Sequence, residues 1–575
     1  MTPNLMLRPT LCPTLLRSSD WPPLLARVYA ARVHDAHDLD LTWDALFSVA
    51  SLTDLFKASA RLARAIAYGE PIVVAGDYDA DGATATAVLI RALRQFGACV
   101  DFIVPDRRLE RYGLTEALAA RIGAMVPKPQ WVVTVDNGIV SHAGATVLRD
   151  IGISLIITDH HLPGDTLPSA YAIINPRRPD DVSGAVNLAG VGVAFLLAIA
   201  VRERLLEQKW PAARPSLAPL LPLVALGTIA DCVPLDRINR LLVAQGLKVI
   251  KNHSGPPGIR ALATAARRDV SLLTSDDLAF AVAPRLNAAG RLQDMTLGIQ
   301  ALLTDDDETA TRLASHLDGI NQERRQLEDT MRQEAEVLVN RDLALALNDI
   351  PPVFCLHDPL WHEGVVGLVA ARIREQTGRP TVAFAVGADG LLKGSARSIP
   401  GIHIRDMIAA VVACHPGLVV RFGGHAQAAG LTLAPDDFPL FTRVLREVVT
   451  QSTTAETFCD AIFTDGLLAS HEQTVEVAHV LENGGPWGQG FPAPRFIGDF
   501  QVVAIRPLSD GLHAKLTVVG EHGAPLAAIA FQCAARLRWT PKVGPARFVY
   551  GLTVNRYQGR ESVQLLIERV LSEGA

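Results

Sequence analysis

The chain has 575 residues, 49% of them hydrophobic and 20% charged, which excludes a largely disordered chain and leaves apolar material for several cores. Its formal net charge of −6 excludes attraction of a polyanion by the overall field, so any nucleic-acid partner must be held by local basic patches. Seven cysteines, an odd number with no C-x-x-C pair, argue against a zinc finger or a disulfide scaffold and fit a reducing compartment.

Residues 1–48 read as a loop-rich N-terminal arm, with Pro3, Pro9 and Pro13 and no continuous apolar leader. From residue 49 the pattern alternates. Short apolar strands are expected at 71–76, 99–104, 131–135 and 155–157, with helices at 83–96, 115–122 and 142–150. Such alternation means βαβ units and a parallel sheet covered on both faces. A mainly helical region follows, and the whole stretch 49–305 reads as one domain. The longest apolar run, 189–201, has thirteen residues, whereas a spanning helix needs ~20. A soluble cytoplasmic chain with no membrane partner is therefore expected. Leu313, Leu317, Ile320, Leu327, Met331 and Leu338 recur at spacings of three, four and seven, which predicts one long connecting helix within 306–345. A second α/β stretch occupies 346–455. The tail, 456–575, carries five β-rich runs (500–505, 514–519, 526–531, 546–554 and 562–567) separated by turn residues, the pattern of a small barrel or sandwich.

The chemistry concentrates at strand ends. The segment GDYDADG places Asp77, Asp79 and Asp81 directly after the first strand, and three carboxylates in five residues repel one another unless a cation neutralises them. Alternation along an extended exit would put all three on one side, with the next helix starting at Gly82. Hard divalent cations such as Mg²⁺ or Mn²⁺ take oxygen ligands of this kind. The plainer alternative is a solvated acidic turn with a helix N-cap. TVDNG adds Asp136 at the end of the third strand, TDHH adds Asp159, His160 and His161 at the end of the fourth, and GTIADCVPL brings Asp231 after another apolar run. In an open parallel sheet the carboxyl ends of the strands form the ligand crevice. So many acids and imidazoles exceed the needs of one octahedral ion, and paired metals ~4 Å apart are typical of phosphoryl-transfer and hydrolytic sites.

These four segments, in this order, resemble the motifs of the DHH phosphoesterase superfamily, and GGHAQAAG (423–430) resembles the signature of its companion DHHA1 domain. PRLNAAGR (284–291), HEGVVGLVAAR (362–372), KGSARS (393–398) and PWGQGFPAPRF (486–496) narrow the similarity to the superfamily's bacterial single-strand-specific exonucleases. The resemblance implies a DHH parallel-sheet domain joined by a long helix to a DHHA1 α/β domain, followed by a C-terminal OB-fold barrel. It implies hydrolysis of single-stranded DNA from the 5′ end to nucleotide monophosphates with two divalent cations, Mn²⁺ or Mg²⁺. It further implies a role in recombination and mismatch repair, with single-strand-binding protein as partner. A monomer is expected because the domains look self-sufficient. Carried over position by position, it makes Asp79 and Asp81 metal ligands, Asp77 a ligand or nearby base, and Asp136 the bridge between the ions. His160 becomes a ligand, His161 a ligand or phosphate contact, Asp231 the last ligand, and Asp159 the group that orients the His pair. Two positions depart from the pattern: Ala75 stands where some relatives carry His, and Arg111 where Gly is usual.

For the substrate, the candidate phosphate contacts are Arg107, Arg285, Arg291, Arg397 and His425, with Ser395 and Ser398 as hydroxyl donors and Gly423 and Gly424 offering backbone N–H groups. Asn287 is expected to position this group, and the resemblance implies that it pockets a 5′-terminal phosphate. In the tail, Phe496, Phe500, Phe531, Phe548, Tyr550 and Tyr557 lie among Arg506, Lys515, Arg556 and Arg560, as a stacking groove for a single strand would require; about four of the six rings are expected in the barrel core. Two other readings compete. Relatives that cleave short oligonucleotides, cyclic dinucleotides or pyrophosphate resemble a chain without the tail, and non-catalytic scaffold relatives lose the metal ligands that this chain keeps.

Overall fold

The runs IVVA, WVVTV and SLIIT carry apolar side chains on both strand faces, so they are buried only in a sheet covered on both sides. The computed structural model describes residues 4–46, 48–106, 110, 112–345, 350–458, 461–508, 511–521, 523–533, 537 and 539–573. They fall into two compact units: Thr10–Asn321 with Asn483–Ala493, and Met1–Pro9 with Gln322–Glu482 and Pro494–Ala575. This division differs from the sequence expectation at three places, one of them within the expected connector 306–345, which is divided after Asn321. The arm 1–48 is split between the units, its first strand β1 (Asn4–Leu7) going with the second, and the segment 483–493 of the tail packs in the first.

In the first unit β2 (Ile72–Ala75), β3 (Val100–Ile103), β4 (Trp131–Val135), β5 (Ser154–Thr158) and β6 (Ala172–Ile174) form an all-parallel sheet of order β3-β2-β4-β5-β6. Three-residue β6 escapes sequence reading because it is too short to show periodicity. Helix Ala80–Gln95 is buried on nearly all sides, because helices Gly190–Glu207 and Leu221–Ala230 pack on the faces that the sheet leaves free. The predicted connector is a single 39-residue helix, Asp307–Leu345, in which Leu313, Leu317, Ile320 and Met331 are buried.

The second unit holds a mixed sheet and a barrel. The sheet contains β7 (Phe354–His357), β8 (Thr381–Val386), β9 (Leu392–Arg397), β10 (Arg421–Gly424) and β11 (Ala428–Leu433), in the order β10-β11-β9-β8-β7. β12 (Ala461–Thr464) pairs in parallel with β1. β13 (Phe496–Pro507), β14 (Ala514–Val519), β15 (Leu526–Ala530), β16 (Gly544–Tyr557) and β17 (Arg560–Glu573) close into a barrel of order β13-β14-β15-β17-β16, the topology expected of an OB-fold. Phe496, Phe500, Phe548 and Tyr550 are barrel core, whereas Phe531 and Tyr557 are exposed. Among the described residues no helix is long and apolar enough to cross a membrane.

Phe384 of β8 is fully buried and meets Phe438 and Phe441 edge-on at 5.5 and 5.8 Å. Phe384→Ala should cost about 3–5 kcal/mol by cavity formation. Chemical denaturation followed by circular dichroism would read this as a lower midpoint at unchanged slope; an unchanged midpoint would contradict the packing described.

Candidate metal centre

The acidic segment after β2 is shaped by its own side chains. Asp79 is the N-cap of helix Ala80–Gln95, its carboxylate accepting the Gly82 N–H at 3.0 Å. The helix thus begins at Ala80, not Gly82, and Asp81 lies in its first turn, so the three acids do not share one side. Asp77 and Asp79 turn toward Asp136, while Asp81 turns toward His160 and Asp231. Asp81 is 1% exposed and accepts the N–H groups of Gly190 at 2.7 Å and Val191 at 3.0 Å. It therefore sits at the N-terminal ends of two helices, where backbone dipoles favour an anion.

Asp136 leaves β4 in a left-handed conformation, with φ of 61°. A Cβ on Gly190 would lie 2.6 Å from that of Asp136, so only glycine lets helix Gly190–Glu207 begin here. The Asn137 amide bonds the carbonyls of Ala75 and Val135 and thereby locks the ends of β2 and β4 side by side. Three sets of ligand atoms converge within 4.8 Å: Asp77, Asp79 and Asp136; Asp81, His160 and Asp231; and Asp136, His160 and His161. Asp136 and His160 each belong to two sets.

The electrostatics call for a cation. Burial and then the charge of Asp79 push the Asp81 carboxyl up to about 7, against the pull of the Val191 and Gly190 amides. Burial and then Asp81 and Asp79 push Asp136 and Asp231 well above the ordinary carboxylate range. Burial and neighbouring His161 hold His160 down to about 3, so its ring is neutral, as a metal ligand must be. Asp136 Oδ1 and His160 Nε2 lie 3.1 Å apart, both buried and without a hydrogen-bond partner. Unpartnered buried donor atoms amid mutually repelling acids fit a divalent ion or a pair of them.

Asp159 supports this cluster from below. Its carboxylate accepts the N–H of Ile139 at 2.9 Å, the N–H of His160 at 2.7 Å and Nδ1–H of His161 at 2.7 Å. It therefore fixes the ring of His161 but only the backbone of His160. Burial would lower the His161 pKa, but the hydrogen bond and charge of Asp159 outweigh it and lift the group to about 9. For Asp159 itself burial works upward, and the His161 bond wins and holds it below the ordinary value.

The candidate phosphate contacts divide. Asn287 accepts the Ala80 N–H at 2.9 Å and so anchors the first turn behind the acids. Arg285 is 6% exposed, paired with Asp318 at 2.6 Å and bonded to the Ala281 carbonyl; its guanidinium is structural rather than presented to a ligand. Arg291 is half-buried in the last turn of helix Ala283–Leu292. Arg107 and Arg111 lie outside the described residues. In the second unit Ser395, Gly430 and Gly423 are in register across β9, β11 and β10, a row almost without side chains. Arg397 donates to Ser395 Oγ at 2.9 Å, and a Cβ on Gly367, in helix Val366–Thr377, would lie 2.8 Å from the Arg397 guanidinium. A helix N-terminus, an arginine, a hydroxyl and open backbone thus meet at one place. Gly424, with φ of 139°, and exposed His425 form the adjoining turn. Ser398 differs from expectation: it is fully buried and spends its hydroxyl on the Ile402 carbonyl at 2.7 Å.

Sequence reasoning missed Tyr112 as a site residue. Its hydroxyl donates to the Asp136 carbonyl at 3.1 Å and lies 3.2 Å from His161 Nδ1, with its ring edge-on to that imidazole. A tyrosine three residues before a helix N-cap carries no spacing signal; only the fold brings it here. Asn137 was visible within TVDNG, but its contacts were not, and Gly190 lay unmarked within the apolar run 189–201.

Comparison with known proteins agrees with this geometry. The chain matches the models of the DHH family N-terminal domain over residues 71–228, the DHHA1 domain over 351–451 and the RecJ OB domain over 464–569. The fold is therefore that of a DHH phosphodiester hydrolase. The chain is 44% identical over 556 residues to the single-stranded-DNA-specific exonuclease RecJ of Dickeya dadantii, covering 96% of both. The crystal structure of RecJ from Thermus thermophilus in complex with Mn²⁺ is 28% identical with a TM-score of 0.79, over 100% of this chain and 80% of that one. The Mg²⁺ complex of the same protein gives 27% and 0.75, over 100% and 78%. The chain belongs to the RecJ exonuclease family.

A pH effect follows from the cluster. Asp81, at about 7 in the folded chain against an ordinary 3.8, adds stability that is fully present below 3.8 and lost as pH rises through 7. Asp136 and Asp231, both raised, act with the same sign. A cation binds the deprotonated cluster, so the rise in Tm on adding Mn²⁺ to metal-free protein should be larger at pH 8 than at pH 6. Differential scanning calorimetry at both pH values reads this; an equal or smaller rise at pH 8 would contradict it.

Proposed function

We propose that this chain is a metal-dependent exonuclease that degrades single-stranded DNA from the 5′ end to nucleoside monophosphates. The observation that carries the reading is the convergence of three ligand sets sharing Asp136 and His160 at the carboxyl edge of a parallel sheet. Asp77 and Asp79 would hold one ion, Asp81, His160 and Asp231 the other, with Asp136 between them. Two bound divalent cations, Mn²⁺ or Mg²⁺, supply positive charge for the phosphate oxygens and lower the pKa of water enough to furnish a nucleophile near neutral pH.

The chain's own residues do the rest. His161, lifted to about 9 and 45% exposed, carries a proton at neutral pH and donates to a phosphate oxygen or to the leaving 3′ oxygen. Asp159 holds that ring in one tautomer, and Tyr112 limits its rotation from the other side. Burial and the nearby carboxylates, Asp77 first, push the Tyr112 phenol well above its ordinary range, so it remains a donor. Ser395, Arg397 and the backbone at Gly423 and Gly424 would take the terminal phosphate, whose charge suits the arginine fork. Arg291 and His425 stay candidate contacts along the strand. On the barrel, Arg506 faces Lys515 across β13 and β14, and exposed Phe531 meets His513 edge-on at 5.2 Å. These groups form a cationic, aromatic surface suited to stacking on a single strand. Arg556 is committed to Glu482 and Glu561 and is left out of that surface. The cellular role proposed with this activity is recombination and mismatch repair in the cytoplasm, as a monomer working beside single-strand-binding protein.

The test uses internally labelled oligonucleotides with free or blocked 5′ ends, Mn²⁺ or Mg²⁺, and the Asp136→Ala variant. Degradation should require the free 5′ end. The variant should lose about a hundredfold or more, since even residues outside a metal's ligand set are worth 10–100-fold. Arg397→Ala should reduce the preference for a 5′-phosphate over a 5′-hydroxyl. Digestion from the 3′ end, or an active Asp136→Ala, would overturn the reading.

A further inference from the structure

The segment Asn483–Ala493, NGGPWGQGFPA, belongs to the catalytic unit although the residues before and after it belong to the other. It is held there by backbone and rings. Its carbonyls at Gly484, Trp487 and Pro492 accept from Tyr29 at 2.8 Å, Ser275 at 2.8 Å and Arg32 at 2.7 Å. Trp487 and Phe491 stack at 5.1 Å, and the Arg240 guanidinium lies 4.1 Å from the centre of the Phe491 ring.

The tip of this strap meets the loop that follows Asp231. The Gln489 carbonyl accepts the Leu235 N–H at 2.7 Å. Gly490, with φ of 73°, lies so close to Pro234 that an added Cβ would approach that ring at 3.3 Å. From the other side Asn239 donates to the Pro234 carbonyl at 2.9 Å. The loop 232–235 is thus clamped between the strap and Asn239.

Asp231 is the ligand candidate most dependent on such a clamp. Asp77, Asp79 and Asp81 each accept backbone N–H groups that fix their carboxylates. The Asp231 side chain is 25% exposed, and its polar neighbour is the His160 ring at 3.5 Å. It occupies the end of helix Leu221–Ala230, and Cys232 beside it takes a left-handed φ of 57°, so the backbone path sets its position. We propose that the strap 483–493 is a positioning element for Asp231, with Gln489 and Gly490 as its contact points, and that through this loop it sets the affinity of the second cation site. The proposal rests on the reading of Asp231 as a metal ligand given above.

The test measures Mn²⁺ binding to the full-length protein by isothermal titration calorimetry, with Gly490→Ala, Asp231→Asn and the double variant. Gly490→Ala, strained by its positive φ, should lower the metal-free Tm and weaken one binding step by roughly 10-fold, the scale of residues that orient metal ligands. In the Asp231→Asn background it should have no further effect, because it acts through that carboxylate. Should Gly490→Ala not fold, Gly488→Ala takes its place, since its Cβ meets only the flexible end of Leu235 at 2.8 Å. Unchanged Mn²⁺ affinity in the glycine variant, beside a weakened Asp231→Asn, would overturn the strap's role. An Asp231→Asn that binds Mn²⁺ as the parent does would instead sink the reading of Asp231 as a ligand, and the proposal with it.

Discussion

Mutual repulsion among Asp77, Asp79, Asp81, Asp136 and Asp231 is the constraint around which the catalytic unit is built. Four of these carboxylates come from two chain segments, and the fifth from the end of a buried helix, yet their oxygens lie within a few ångströms of one another. Water, which would screen them, is largely excluded. The protein offsets the repulsion with what the backbone offers: amides at the starts of helices Ala80–Gln95 and Gly190–Glu207, and a neutral His160 wedged between the acids. The remainder of the unfavourable energy is left for a cation to remove, which makes affinity for the ion and the instability of the empty cluster two sides of one design.

That constraint explains details that otherwise look unrelated. Gly190 is required because Asp136 and Asp81 press on one helix start from two sides. Asn137 is required because the strand ends that carry the acids must not part. Asp159 is an acid that does not join the cluster; it spends its charge on His161, and so supplies a protonated imidazole beside a group of ligands that need to be unprotonated. Two neighbouring histidines therefore have opposite protonation states, set by burial for one and by a carboxylate for the other.

Much of this was legible in the sequence, for physical reasons. Parallel strands buried on both faces read as continuous apolar runs, so β2, β4 and β5 and the acids at their ends stood out, as did the long helix through its heptad-like spacing. The convergence of acids and imidazoles was legible because repelling acids at successive strand ends have few other uses. The split of Asp77 and Asp79 from Asp81 was not, because it depends on where the helix starts, and the Asp79 cap decides that two residues earlier than alternation implies. Arg285 and Ser398 looked like phosphate contacts by residue type, but their partners, Asp318 and Ile402, are set by packing. Tyr112 was hidden for the converse reason: nothing local marks it, and only the folded sheet brings it to His161.

The central claim is that Asp136 is shared by two ions. Electron paramagnetic resonance on protein loaded with two equivalents of Mn²⁺ tests it most directly. The account requires the spectrum of a spin-coupled Mn²⁺ pair, replaced by that of isolated ions in Asp136→Asn. Isolated ions in the parent protein, or a coupled pair that survives the substitution, would contradict it.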